Sequence, residues 1–442
     1  MTMFGSQWLA NAGADYEIDQ SIRFNDDDSA FLARTPDASN RKTWTWSAWV
    51  KRADLFNGSV PQILLSAGDG GANDFVMQFG QSNDTLRISD YISSTQSNLI
   101  TTQLFRDVGA WYHFVLAYDT TQGTAANRIK LYVNGSQVTA FGTEVYPSEN
   151  QDLVINSAIA HNIGRGAYSS NGYFSGYMAE INFVDDTALA PTAFGKTNDD
   201  GVWIPKAYSG AYGTEGYFID GRDSSDLGDD ESGNGNDYAS SGLTTADQMS
   251  DTPTVNYCVL SPIDKGEVTL SDGNLVATNP SFNVWIHGRG TLFAPSGKYY
   301  YEWIPTAGSY ALAGWMLNVS GNDYVEEESD VATTFYRGVG AAGHGFVIGD
   351  GSTNSSVTNF SLDDVIMMAI DIDTMKMWVG INGTWYNSGD PAGDSNPVGT
   401  WTDAIGESVA PWYGCFNGTS ETFNFGQRPF AHTIPTGFNS WN

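Results

Sequence analysis

The chain has 442 residues and carries 20 Lys and Arg against 51 Asp and Glu, a formal net charge of −31. Such a field repels nucleic-acid phosphates and anionic membrane surfaces, while 41% apolar and 13% aromatic residues exclude a disordered chain. Charged residues are only 16%, below the roughly one quarter usual for soluble domains, so polarity comes from Ser, Thr, Asn and 49 Gly.

The elements follow in chain order. Residues 1–16, MTMFGSQWLANAGADY, have no basic leader and no long apolar run, so they do not read as a secretory signal. They carry Met1, Met3, Phe4, Trp8 and Leu9 in a stretch too short for its own core, which points to burial against this chain or a neighbour. From residue 17 onward, short runs alternate apolar and polar residues: TWTWSAWV at 43–50, DFVMQF at 74–79 and WYHFVLAY at 111–118. Period two turns one face to a core and the other to a surface, so these are strands. RIKLYV at 128–133 then meets Asn134-Gly135 and SQVTAF at 136–141. Asn-Gly accepts the positive φ angles of a type I′ turn, so this is a hairpin.

Residues 220–262 are acidic, rich in Gly, Ser and Asp, and poor in large apolar side chains; this composition predicts an extended or irregular linker. Beyond it, MKMWVGI at 375–381, Asn382-Gly383 and TWY at 384–386 repeat the earlier hairpin. The predicted fold is all-β, with two antiparallel sandwiches over 17–219 and 263–442. Cys258 and Cys415 are too few for a disulfide framework or a zinc site; a single bridge between them is compatible with the count, and free buried thiols are the favoured reading. No apolar run of about 18 residues occurs, so no membrane insertion is expected.

The blocks SIRF at 21–24, WSAWV at 46–50, WYHFV at 111–115, LYVNG at 131–135 and FSGYMAEI at 174–181 resemble the laminin-G-like, concanavalin A-like jelly roll. GKYYYEW at 297–303, the 375–383 hairpin and FNFGQRPF at 423–430 resemble a SPRY domain, another concanavalin-like sandwich. The MFGSQW opening, SIRFNDDDSA and the DDESGNGNDYA stretch are similar to uncharacterised bacteriophage virion proteins. This resemblance implies a tail-fibre or head-decoration component. It would be made in the host cytoplasm, released by lysis and joined to other virion proteins through residues 1–16.

Glycan hydrolysis needs two carboxylates about 5–9.5 Å apart. The laminarinase-like hydrolases place them on Glu-x-Asp-x-Glu; here Glu17-Ile18-Asp19 is followed by Gln20 and Ser21, so the third carboxylate is missing. The five histidines, His113, His161, His287, His344 and His432, lack metal spacing. The expectation is a non-enzymatic protein. The resemblance implies calcium as a cofactor: Asp74, after the loop holding Asp69, matches the position of a calcium-ligating Asp in laminin-G-like domains. The acidic stretch 226–237 is rich in oxygen but lacks the EF-hand pattern. Tyr168, Tyr173, Trp285, Trp315, Tyr336, Trp385 and Trp412 stand near predicted loops and are candidates to stack on a sugar or grip a protein partner. The expected partner is a host-surface glycan or protein, with no nucleic acid. A homo-oligomer is compatible with this reading, though no heptad run sets one. Rival readings are a secreted bacterial adhesin, which the opening disfavours, and a glycan depolymerase with an unrecognised site.

Overall fold

Period-two alternation determines which side of each strand meets the core, and the computed structural model carries it through both halves of the chain. The structure describes residues 16–317 except 56, 57, 59, 81, 82, 169, 170, 281, 282, 309 and 310. It then describes the backbone of three short strands, Thr334–Gly338, Phe346–Val347 and Thr353–Asn354, and residues 360–442 except 401–404. Among the described residues there is no α-helix. The chain divides into two units, residues 1–256 and 257–442.

The first unit is a jelly roll of two eight-stranded sheets. One sheet runs, edge to edge, Ser136–Gln137, Ile129–Val133, Tyr112–Asp119, Thr43–Arg52, Gly176–Asp185, Ser21–Phe24 and Gln248–Met249, with Tyr217–Ile219 added to Gly176–Asp185. The other runs Phe141–Val145, Thr95–Leu104, Thr85–Ile92, Asn73–Phe79, Gln62–Gly68, Ala160–Ile163, Phe31–Arg34 and Ala239–Ser241. Trp44, Trp46, Ala48 and Val50 enter the core between them. There Trp44 stacks on Tyr118 at 4.2 Å and meets Phe75 edge-on at 5.9 Å.

The opposite parity of Thr43–Arg52 is covered as well: Thr45, Ser47 and Lys51 are fully buried and Trp49 nearly so. The cover is residues 186–256. Thr45 Oγ1 donates to Thr187 O, and Leu189 N–H donates back to Thr45 Oγ1. Phe194, Tyr208 and Tyr212 pack on Val115 and Val184.

This overturns the linker boundary. Residues 220–256 belong to the first unit, and 257–262 to the second. The acidic side chains that suggested solvation instead meet buried cations and backbone amides. Arg23 pairs with Asp247 at 2.6 Å, and Lys51 with Asp251 at 2.8 Å, all four side chains buried. Asp230 accepts the backbone N–H groups of Phe218, Ser232 and Asn236. Composition alone does not distinguish a solvated acid from one that answers a cation elsewhere in the chain.

The second unit is also a two-sheet antiparallel sandwich. Its larger sheet orders Thr269–Ser271, Val276–Thr278, Ser420–Asn424, Lys298–Ala307, Ile366–Asp371, Lys376–Ile381 and Thr384–Trp385. Its smaller sheet orders Trp285–Arg289, Val409–Phe416, Ala311–Leu317 and the three backbone-only strands. Tyr301, Trp315, Phe423 and Tyr413 bring the two sheets together through ring contacts. Cys258 and Cys415 are both buried and free.

The two hairpins repeat in detail. Asn134 and Asn382 both have φ 48°, followed by Gly135 at 78° and Gly383 at 85°. In each, the Asn Oδ1 accepts a backbone N–H from the preceding strand region: His113 at 2.8 Å and Val365 at 2.9 Å. The Asn N–H returns a bond to the carbonyl of that same residue.

Candidate functional site

The outer face of Thr43–Arg52 and Tyr112–Asp119 holds the most site-like arrangement among the described residues. Trp49 has the parity opposite to Trp44 and Trp46, so it points away from the core. His113 lies beside it on the neighbouring strand, with the rings 4.6 Å apart and stacked. Trp203, on Trp203–Pro205, meets the edge of His113, with ring centroids 6.0 Å apart and planes 24° apart.

Trp203 is held firmly. Its indole Nε1–H donates to His113 Nδ1 at 3.0 Å. Indole nitrogen only donates, so His113 Nδ1 accepts and the ring proton sits on Nε2, 2.9 Å from Ser47 Oγ. Burial pushes the imidazole down to about 3, so it stays neutral. Gly135 and Gly195 flank the same indole, and a Cβ on either would collide with the Trp203 ring. Glycine is needed at both places for this close approach.

These residues border a cleft of about 310 Å³, lined by Trp49, Trp111, Trp203, Asn134, Pro253 and Asn256 with small neighbours. That volume lies at the lower end of small-ligand sites, which run from roughly 300 to 1,000 Å³. Trp111 Nε1–H donates to Asp251 Oδ1 at 3.0 Å. Asn256 Oδ1 accepts from Lys51 Nζ at 2.8 Å, and its amide donates to Gly109 O. The cleft thus presents indole surface and carboxamides on a rigid sheet.

The residues singled out in the sequence lie elsewhere. Asp69 and Asp74 share the hairpin Gln62–Gly68 and Asn73–Phe79. Asp69 is exposed and committed to its turn: it accepts from Asn73 Nδ2 and from the N–H groups of Gly71 and Asn73, which hold its carboxyl below the usual range. Asp74 is half-buried, and burial raises its carboxyl while Arg87 opposes this. Its enclosed Oδ1 has no hydrogen-bond partner, so it has one oxygen to offer a cation. Among the described residues no three His, Cys, Asp or Glu side chains converge as a metal site.

Tyr168 is 48% exposed and sits against Gly68, opposite Asp74. Tyr173 packs on Phe31 at 6.3 Å. Trp315 is a core residue, fully buried and edge-on to Tyr301, because its parity on Ala311–Leu317 turns it between the sheets. Trp412 is also buried, stacked on His287 at 5.0 Å, while Trp285 is half-buried against Phe416 and Trp385 against Tyr300. The side chain of Tyr336 and residues 1–15 lie outside the described residues. Loop proximity pointed to Trp285, Trp315, Trp385 and Trp412; strand parity within TWTWSAWV marks Trp49 as facing away from the core.

Glu17 and Asp19 are exposed and lie outside the cleft lining. Glu180 is buried at a bulge in Gly176–Asp185 with φ 52°, and Tyr16 Oη–H donates to it at 2.9 Å. Burial raises its carboxyl to about 7.

With this geometry in view, the comparisons add a family likeness over part of the first unit. Residues 24–193 match the family model of the concanavalin A-like lectin/glucanases superfamily. The match covers the core strands of the first unit and stops before Trp203 and the segment 220–256. No curated protein matches the chain. Among solved structures, the SPRY domain of human HERC1 is 15% identical with TM-score 0.30, covering 38% of this chain and 99% of that one. A heptameric SAP-like pentraxin from Limulus polyphemus is 17% identical with TM-score 0.30, covering 40% and 80%. Domain 4 of AbnA, a GH43 extracellular arabinanase from Geobacillus stearothermophilus, solved with arabinotriose, is 19% identical with TM-score 0.30, covering 40% and 76%.

Proposed function

We propose that the chain is a non-enzymatic glycan-binding component of a bacteriophage particle, and that the tryptophan cleft of its first unit is the binding site. The observation that carries the binding role is a preorganised indole, Trp203, fixed by His113, Gly135 and Gly195 at the edge of a cleft with two further tryptophans. Aromatic faces with a polar edge suit sugars, which are apolar on their C–H faces and polar around the rim. Preorganisation lowers the ordering cost of binding. No carboxylate lines the cleft, which supports binding without hydrolysis. The resemblance of the opening and of SIRFNDDDSA to phage virion proteins supports the particle setting, with residues 1–16 as the attachment segment and the second sandwich free for a host protein or glycan.

Calcium belongs to this reading at Asp74, whose unpartnered oxygen fits one ligand position; Asp69, spent on its turn, fits less well. A depolymerase is the second reading, favoured by Glu180 with its raised carboxyl; release of reducing sugar from host polysaccharide, abolished in Glu180→Gln, would establish it.

Two measurements test the proposal. The purified chain should adsorb to host-surface polysaccharide, and Trp203→Ala should abolish adsorption with the fold intact by circular dichroism. Electron microscopy of purified particles should place the chain on the exterior. Adsorption unaffected by Trp203→Ala would remove the cleft from the account, and absence from particles would remove the virion setting.

A further inference from the structure

We infer that the tryptophan cleft selects uncharged oligosaccharides and rejects those bearing uronate, sulfate or sialate groups. This rests on the glycan-binding reading above and narrows it to a ligand class. The lining consists of Trp49, Trp111, Trp203, Asn134, Asn256 and small or aliphatic residues, none of which ionises near neutral pH.

The charges behind the lining cancel. Lys51 Nζ and Asp251 Oδ2 are 2.8 Å apart with both side chains fully buried. The other Asp251 oxygen accepts from Trp111 Nε1, and Asn256 takes a further Lys51 proton. His113, against Trp49 and Trp203, is neutral and bonded on both ring nitrogens. The lining itself therefore offers no cation to an anionic sugar.

The rim adds repulsion. Asp199 and Asp200 are exposed on the turn that leads into Gly201 and Val202 of the lining, and the whole chain carries −31. An anionic sugar entering the cleft would lose water without gaining a counter-charge, which is costly. A neutral sugar meets indole faces and the exposed Asn134 carboxamide, whose Oδ1 is used by His113 N–H. Its affinity should hardly depend on salt, because no charge pair forms.

The test uses the full chain on an array of matched neutral and anionic oligosaccharides, followed by calorimetry on the best binder of each class at 20 and 500 mM NaCl. The expected result is binding to neutral glycans only, with affinity changing less than about twofold across that salt range. Val202→Lys places a cation at the cleft without removing an aromatic wall, and it should admit an anionic glycan with at least about tenfold gain over wild type. An anionic glycan bound by wild type within tenfold of the neutral one would overturn the selectivity while leaving the glycan reading in place. Binding to neither class would overturn the glycan reading, and the selectivity with it.

Discussion

At the scale of single residues, titratable groups buried in the first unit are the sharpest probes. Asp90 is fully buried and accepts from Ser97 and Tyr118 hydroxyls, and burial raises its carboxyl to about 6. The ordinary value is 3.8. A raised carboxylate contributes stability below pH ~4 that is lost as pH rises through ~6. Relative to wild type, Asp90→Asn should therefore gain stability between pH 4 and 8, by up to about 3 kcal/mol. Denaturant titrations across that range check this; a difference between the two proteins that does not change with pH would contradict it. His113 has the opposite sign. Its folded value of about 3 lies below the ordinary 6.5, so its contribution is full above pH ~6.5 and is lost as pH falls. Acid should loosen Trp203 before it unfolds the core, visible as a change in tryptophan emission that is absent in Trp203→Phe.

At the scale of elements, the acidic segment after residue 220 functions as a strap over the outer sheet face. Lys51→Met leaves Asp251 buried without its cation, which costs roughly 3–5 kcal/mol. The expected outcome is a lower melting temperature and new protease cuts within residues 244–256, mapped by mass spectrometry; wild type should resist cleavage there. The C-terminal segment ties down the second unit similarly. Glu302 accepts the N–H groups of Ala431 and His432, Trp441 Nε1–H donates to Leu292 O, and Asn439–Ser440 pairs in parallel with Lys298–Ala307. Deleting residues 429–442 should abolish the folded second unit, seen as loss of one unfolding transition in calorimetry.

These elements also show what a sequence can display. The strands and both Asn-Gly hairpins were readable because their signals are local: parity, and a turn dipeptide with one favoured geometry. The cysteine count excluded a framework, and the structure shows both thiols free and buried. The strap was not readable, because Asp247 and Asp251 find Arg23 and Lys51 across more than 190 residues. The cleft was half readable. Trp49 is marked by its parity, whereas Trp203 becomes a site residue only through contact with His113, Gly135 and Gly195.

At the scale of the whole molecule, the account is of two antiparallel sandwiches, the first of which adds its own cover and so creates a cleft that the matched family segment, residues 24–193, does not contain by itself. Calcium should raise the melting temperature of the first unit if Asp74 takes a cation, by linkage; an unchanged melting temperature at millimolar calcium, or a shift retained in Asp74→Ala, would remove that assignment. The central claim concerns the cleft. The chain has 14 tryptophans, and their indole N–H resonances can be resolved in a nitrogen-15 NMR spectrum. Titration with the neutral oligosaccharide selected by the array should shift the resonances of Trp111 and Trp203 and leave those of Trp285 and Trp385 in place. Shifts confined to Trp285 and Trp385, with Trp111 and Trp203 unmoved at saturation, would contradict the account.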